Sequence, residues 1–340
     1  MINLNIKKLL VDLSQIDGPS GFEDPVLEYI EKQISPYVDR TFYNKIGTLI
    51  AEKKGEGKEK LGIFAHVDEV GHVVTKIEEG GFARLETVGG VDPKVMFAQR
   101  VRIYTKKGIA RGVVGVLPPH LQKEEHRKRV PDFDKIFIDV SCSDLGKDVS
   151  VGDVGVIEST PVEIGGKICG KALDNRASCA ALIVAAELLN FIKNKADVYF
   201  IFSSQEEIGG PGAVSVAYQL ELDKAIVLDV THGEAKIPGF PQIKLGNGPA
   251  LGTGPVVDRE FYAEVAELAQ KNGVKFQIEP VPGRSGTDTD AVQLTRTGIR
   301  TMLVSIPLMY MHTPVEVVDP VDVQETARLI ALCTAIKKEG

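Results

Sequence analysis

Apolar positions in this 340-residue chain follow a helical period at the start, strand-like runs in the middle and both in alternation afterwards. Leu4, Ile6, Leu9, Leu10 and Leu13 recur at helical spacing and predict an amphipathic helix ending before Gly18-Pro19. Ser20 and Glu23 stand at capping-box spacing ahead of a second helix, predicted over 24–35. Strands are expected over 38–43 and 48–52, then a polar connection over 55–60. An apolar run over 61–65 reads as a short buried strand that stops at His66-Val67-Asp68-Glu69.

From 70 to 163 no long helical pattern appears, and short alternating runs rich in Val, Gly and Thr take over. This predicts an all-β insert, a small barrel or sandwich, whose edge strands favour pairing with another copy. Within it, 118–134 is dense in charge and reads as a mobile loop, with His120 and His126 as solvated side chains. His72 reads as a strand residue. The α/β pattern resumes after Gly165-Gly166, with an Ala- and Leu-rich helix predicted over 177–189. A buried strand opens at Val198 and stops at Glu206-Glu207, and another over 224–229 ends on Asp229, with His232 just beyond. A Gly/Pro-rich turn is expected over 249–255, a helix over 258–271, a loop over 282–290 and a strand over 299–306 leading to His312. A last helix is predicted over 321–337.

The length exceeds what one core usually holds, so two domains are expected: a discontinuous α/β unit over 1–69 and 164–340, interrupted by the β-rich 70–163. The chain is 43% hydrophobic and 26% charged, an ordinary globular composition. Its formal net charge of −7 argues against a nucleic-acid partner. Cys142, Cys169, Cys179 and Cys333 stand singly, as suits a reducing compartment. Lys7, Lys8 and Asp12 interrupt any signal-peptide core, and no apolar run is long enough to span a bilayer. A cytoplasmic protein without membrane partners is the expectation.

The candidate chemistry lies where the strands stop. Adjacent carboxylates such as Glu206 and Glu207 repel and need compensation, and a metal ion would supply it. Alone, the pair also reads as a solvated loop, His66-Val67-Asp68 as a surface turn, and Asp174, in the connection feeding the 177–189 helix, as an N-cap. Together the reading changes. His66, Asp174, Glu206, Glu207, Asp229 and His312 all fall at strand ends or a helix entry, where open α/β sheets bind ligands. Two histidines and three carboxylates suit a pair of divalent ions with mixed nitrogen and oxygen ligation, zinc, cobalt or manganese. Formal charges agree, because two ions against Asp174, Glu207, Asp229 and one hydroxide sum to zero.

His66-Val67-Asp68, Asp174-Asn175-Arg176, Glu206-Glu207, Asp229 and His312-Thr313 resemble the site of the TET-type di-metal aminopeptidases, the glutamyl and deblocking aminopeptidase family. Some relatives have been labelled endoglucanases. The similarity spans essentially the whole chain. It implies a mixed-sheet, zinc-exopeptidase-like α/β fold with helices on both faces and an inserted PDZ-like β domain that dimerises, often within a tetrahedral dodecamer. It implies that Asp174 bridges both ions through a cis Asp174–Asn175 peptide. His66 and Asp229 would complete one ion, and Glu207 and His312 the other. Glu206 would be the general base and Asp68 the orienter of His66. The implied reaction removes N-terminal residues from peptides with a bridging hydroxide. A related deacylase or dipeptidase would use the same ions. An endoglucanase would need two acids flanking a sugar and usually aromatic platforms, and the chain has no Trp. A non-enzymatic scaffold would be marked by missing ligands, and none is missing. Gly254 and the 283–290 loop are candidate walls for the pocket that selects the substrate side chain.

Overall fold

The computed structural model describes residues 4–122 and 133–335. Helix α1 (Ile6–Gln15) is capped by Asn5, whose side chain accepts from the Lys8 amide, and it turns Leu9, Leu10 and Leu13 inward. Helix α2 (Asp24–Ile34) has no side-chain cap at all. The expected Ser20–Glu23 capping box is therefore absent. Ser20 Oγ donates to Asp68 Oδ2 at 2.6 Å instead, and Glu23 accepts from the amides of Gly21 and Gln205. Both side chains that could have closed the box are engaged by the site described below.

Strands β1 (Arg40–Tyr43), β2 (Leu49–Lys53) and β3 (Lys60–His66) follow. The chain then leaves the sheet for β4 (Gly71–Glu78), β5 (Phe82–Val88), a short helix α3 (Pro93–Met96), β6 (Arg100–Thr105), β7 (Gly108–Val113), β8 (Phe137–Asp139) and β9 (Val154–Ile157). These six strands close on themselves in the order β4-β5-β8-β7-β6-β9. Val74, Leu85, Val101, Ile103 and Ile138 fill a core of their own, separate from the main one. Closure removes the free edges on which the expectation of edge pairing rested. His126 and 123–132 of the expected charged loop lie outside the described residues.

The chain returns through β10 (Val162–Ile164) and β11 (Lys167–Gly170), a hairpin of the large sheet rather than of the barrel. Helix α4 (Leu173–Leu188), β12 (Asp197–Ser203), α5 (Pro211–Leu220) and β13 (Lys224–His232) follow. The remaining elements are β14 (Ala250–Thr253), α6 (Arg259–Lys271), β15 (Gln277–Pro280), α7 (Thr289–Val292), β16 (Arg300–Met309), β17 (Glu316–Val318) and α8 (Pro320–Thr334). The stretch expected to be only a turn, 249–255, contains β14, which pairs with β15 and β16. Gly254 ends it at φ +154°, with an ideal Cβ only 1.9 Å from the Val281 carbonyl. No side chain fits there, so the residue serves backbone packing.

The sheet is mixed, in the order β1-β2-β12-β3-β13-β16-β17-β11-β10. Its central strands β12, β3, β13 and β16 run parallel, while β2 and β17 join antiparallel at either side of them. β12, β3 and β13 are buried along almost their whole length, the pattern of strands covered on both faces. Helix α4 is buried all round from Leu173 to Glu187, because its run of Ala, Ser and Cys lets α1, α8 and the strands approach closely. Parallel register puts Ser203 beside His66 and Asp229 beside Ser305. The carboxyl ends of four strands thus open on one side of the sheet. Among the described residues no helix is long and apolar enough to cross a membrane.

Candidate metal centre

The site residues sit at or near the ends of their elements. His66 is the last residue of β3, Asp229 lies within β13, and Glu206 and Glu207 start a single 3-10 turn (Glu206–Ile208) after β12. His312 occupies the turn between β16 and β17 with φ +59°. Asp174 is not an N-cap. It lies inside the first turn of α4, where the backbone breaks from helical geometry, and the Asp174–Asn175 peptide is cis.

The six expected side chains converge. Asp174 Oδ1 lies 3.2 Å from His66 Nε2, and Asp174 Oδ2 lies 3.3 Å from His312 Nε2. Asp229 Oδ1 stands 3.8 Å and Glu206 Oε2 4.0 Å from His66 Nε2, while Glu207 Oε1 is 3.4 Å from His312 Nε2. Three overlapping groups result, His66–Asp174–Asp229, His66–Glu206–Glu207 and Asp174–Glu207–His312, each with ligand atoms within 4.8 Å of one another.

The far side of each imidazole sets its proton. His66 Nδ1 faces the Asp68 carbonyl oxygen at 3.2 Å and Asp68 Oδ1 at 3.3 Å. His312 Nδ1 faces the Gly90 carbonyl at 2.8 Å. All of these only accept, so a proton is assigned to Nδ1, and Nε2 of each ring faces the carboxylates. Without a metal, Nε2 donates a second proton to those carboxylates; with that proton lost, its lone pair is free for a divalent cation held between ring and acids. Asp68 does more than face His66. It is fully buried and accepts the amides of Glu206 at 2.9 Å and Glu207 at 3.1 Å. One carboxylate therefore orients a ring and anchors the turn carrying both glutamates.

The electrostatics agree. Burial, opposed by His66 and reinforced by Asp229, Asp288 and Glu207, pushes Glu206 up to about 9. Burial, with the Asp174 charge adding to it, also raises Glu207 and Asp229. Asp174 goes the other way, because hydrogen bonds from His312 and His66 outweigh its burial. Burial works against a charged His312, yet its bonds to Asp174 and Glu207 prevail and raise it to about 11. Acids and histidines pushed up together mark a cluster short of positive charge.

His72 is a buried barrel residue and His120 is exposed, apart from this cluster. Three residues escaped the sequence reading. Asp288 is buried and accepts from Ser203 Oγ at 2.6 Å. Glu69 is buried and binds Lys171 Nζ at 2.6 Å and the Gly18 amide at 2.9 Å. Glu316 is buried and accepts the amides of Asp174 and His312. Glu69 was visible as the last residue of the His66 cluster. Asp288 and Glu316 stand in a polar loop and a three-residue strand, where nothing local marks them.

The family model of M42 glutamyl aminopeptidases matches residues 47–329. The chain is 33% identical to the lysyl aminopeptidase of Pyrococcus furiosus over 334 residues, 95% of this chain and 94% of that one. A crystal structure whose description gives peptidase and endoglucanase as alternatives is 50% identical, with TM-score 0.82, over 98% of this chain and 100% of the other. The TET1 peptidase of Pyrococcus horikoshii, which assembles into a tetrahedron or a large octahedral shell, is 30% identical, with TM-score 0.87, over 98% of this chain and 100% of its own.

Proposed function

The chain belongs to the M42 glutamyl aminopeptidase family, and from that premise we propose a metal-dependent aminopeptidase that takes single residues from the N-termini of peptides. The observation that carries the reading is Asp174, whose two oxygens each face a different histidine at 3.2 and 3.3 Å. In this reading Asp174 holds two divalent ions, zinc, cobalt or manganese, with His66 and Asp229 completing one and Glu207 and His312 the other. Such ions supply Lewis acidity toward the scissile carbonyl and bring the pKa of a bound water down to about 7.

The chain's own groups do the rest. Glu206 accepts the proton of the attacking water and returns it to the leaving amine. Its backbone amide donates to Asp68 at 2.9 Å, which holds the turn that carries it. Asp68 acts through His66, holding Nδ1 protonated. One of the ions or an acid beside them would receive the substrate's free α-amino group, which restricts cleavage to the terminal residue. An endoglucanase needs two acids about 5–9.5 Å apart with a sugar between them; here the acids crowd around histidine nitrogens, which favours ligation. A deacylase or dipeptidase shares the site and differs only in the substrate.

The closed barrel, whose strands run from Gly71 to Ile157, is read as the PDZ-like domain expected over 70–163, with the last residues of that range joining the large sheet in β10. Exposed Val116, Leu117 and Leu121 beyond β7 and the shell-forming relative support its role in a homo-oligomer, at least a dimer and up to a tetrahedral dodecamer. Four free cysteines suit a cytoplasmic address. Aminoacyl-p-nitroanilides tried on metal-depleted protein with added Co²⁺, Zn²⁺ or Mn²⁺, beside a cellulose derivative, test the activity. Hydrolysis of the cellulose derivative alone overturns it. Light scattering tests the assembly, and a monomer at micromolar concentration refutes it.

A further inference from the structure

Glu316 is not among the residues that converge on the candidate ions, yet it touches two of them from behind. It begins β17, where its backbone pairs with Gly170 of β11. Two loops leave the sheet at this point. One runs from Gly170 to Asp174, and the other is the β16–β17 turn that carries His312. The Glu316 side chain spans them. Oε1 accepts the His312 amide at 2.8 Å, and Oε2 accepts the Asp174 amide at 3.1 Å. The residue is 2% exposed, so neither bond is shared with bulk water.

His312 has particular need of such a partner. It sits in the left-handed region at φ +59°, and so does Tyr310 two residues earlier at φ +60°. Non-glycine residues hold that conformation only when their surroundings fix it. The bond from its amide to Glu316 and the bond from Nδ1 to the Gly90 carbonyl fix the residue from two directions. Asp174 also stands where the backbone departs from helical angles, with its amide bound by the same carboxylate.

We propose that Glu316 is a positioning residue that sets the spacing between the bridging carboxylate of Asp174 and the imidazole of His312. The inference rests on the two-ion reading above. A single rigid carboxylate tying both backbones keeps Asp174 Oδ2 and His312 Nε2 at their 3.3 Å approach, a separation that one shared ion can bridge. Outer groups that orient ligands in this way typically contribute 10–100-fold to metal affinity. The His312 side of the pair depends on Glu316 most, because His66 has its own orienter in Asp68.

The test is a Co²⁺ titration of the metal-depleted full-length chain, followed by visible absorption, for wild type, Glu316→Gln and Glu316→Asp. Glu316→Gln keeps the shape but turns an amide N–H₂ toward one of the two backbone donors, so one bond is lost. One of its two ions should bind about 10–100-fold more weakly while the other keeps wild-type affinity. Glu316→Asp, which retains two acceptor oxygens, should recover part of that loss. Thermal melting of each variant without metal separates this effect from simple destabilisation. Equal affinity of wild type and Glu316→Gln for both ions overturns the proposal. So does failure of both variants to fold, which makes the role structural. Wild-type protein that binds no Co²⁺ overturns the two-ion reading instead, so the two failures are distinguishable.

Discussion

Two buried charged regions flank the short segment from Lys171 to Asp174, and they meet the cost of burial differently. On one side, Asp17 and Glu69 face Lys171 at 3.1 and 2.6 Å, Arg102 lies 2.6 Å from Asp17, and Arg176 Nη2 stands 3.9 Å from Glu69. Tyr104 adds its hydroxyl to Asp17. Three fixed cations answer two acids there, and the bonds tie the barrel strand β6 to the loops of the large sheet. On the other side, among the described residues, Asp68, Asp174, Glu206, Glu207 and Asp229 share only His66 and His312. The first region is complete within the chain and serves the joint between the two cores. The second has carboxylates left over, and that surplus makes it a candidate for chemistry.

The comparison breaks most clearly where the surplus is greatest. Replacing Asp174 with Asn should release both ions and cost several kcal/mol of transition-state stabilisation, on the order of 10³–10⁴-fold in kcat/KM. Chelation should mimic it in wild type, with activity restored by a divalent ion, and metal analysis beside steady-state rates checks both. Retained activity after exhaustive chelation contradicts the reading.

Glu206→Gln and Glu207→Gln should then fail in different ways. The first keeps both ions while turnover falls about 10²–10⁴-fold. The second loses occupancy of one ion and regains part of its activity in excess metal. Mass spectrometry of metal content tells them apart, and the opposite pattern exchanges the two roles.

In the balanced region a different quantity should move. Lys171→Met leaves Glu69 and Asp17 buried with less compensation and should cost about 3–5 kcal/mol of stability, seen in thermal melting, while metal content stays at the wild-type level. Loss of metal without loss of stability would merge the two regions into one.

The smallest effect concerns His72, whose ring is buried beside the same joint and lowered by that burial from 6.5 to about 4. Between those values the unfolded chain binds the proton and the folded chain does not. Stability from this group is therefore full above pH 6.5 and declines as pH falls, by at most about 1.4 kcal/mol per pH unit. His72→Leu should flatten that part of the melting-temperature profile, and an unchanged slope removes His72 from the account.

Much of this is legible in the sequence. The strand end at His66, the Glu206–Glu207 step and His312 are placed by apolar runs that stop on polar residues, whereas β13 runs past its expected end at Asp229 to His232. The β-rich segment announced itself by the loss of helical period. What misled was local chemistry with two outlets. Ser20 and Glu23 had capping-box spacing, yet Ser20 was claimed by Asp68 and Glu23 by the Gln205 amide. Asp174 looked like a helix cap until the backbone turned its carboxylate toward two histidines. A Gly/Pro-rich stretch became β14 because β15 and β16 supplied its partners.

The sequence by itself determined the long periodic elements, the buried runs of the central strands and which residue types are available to hold cations, since periodicity and side-chain chemistry are properties of short stretches. Only the tertiary structure decided that the barrel closes, that Glu316 reaches Asp174, 142 residues away, and so ties two loops together, and that Lys171 and Arg102 serve the joint rather than the site. Those outcomes depend on register and on competition among partners distant in the chain. A hydrogen bond goes to whichever acceptor the packed fold brings within about 3 Å, and nothing in the neighbouring residues records which one that is.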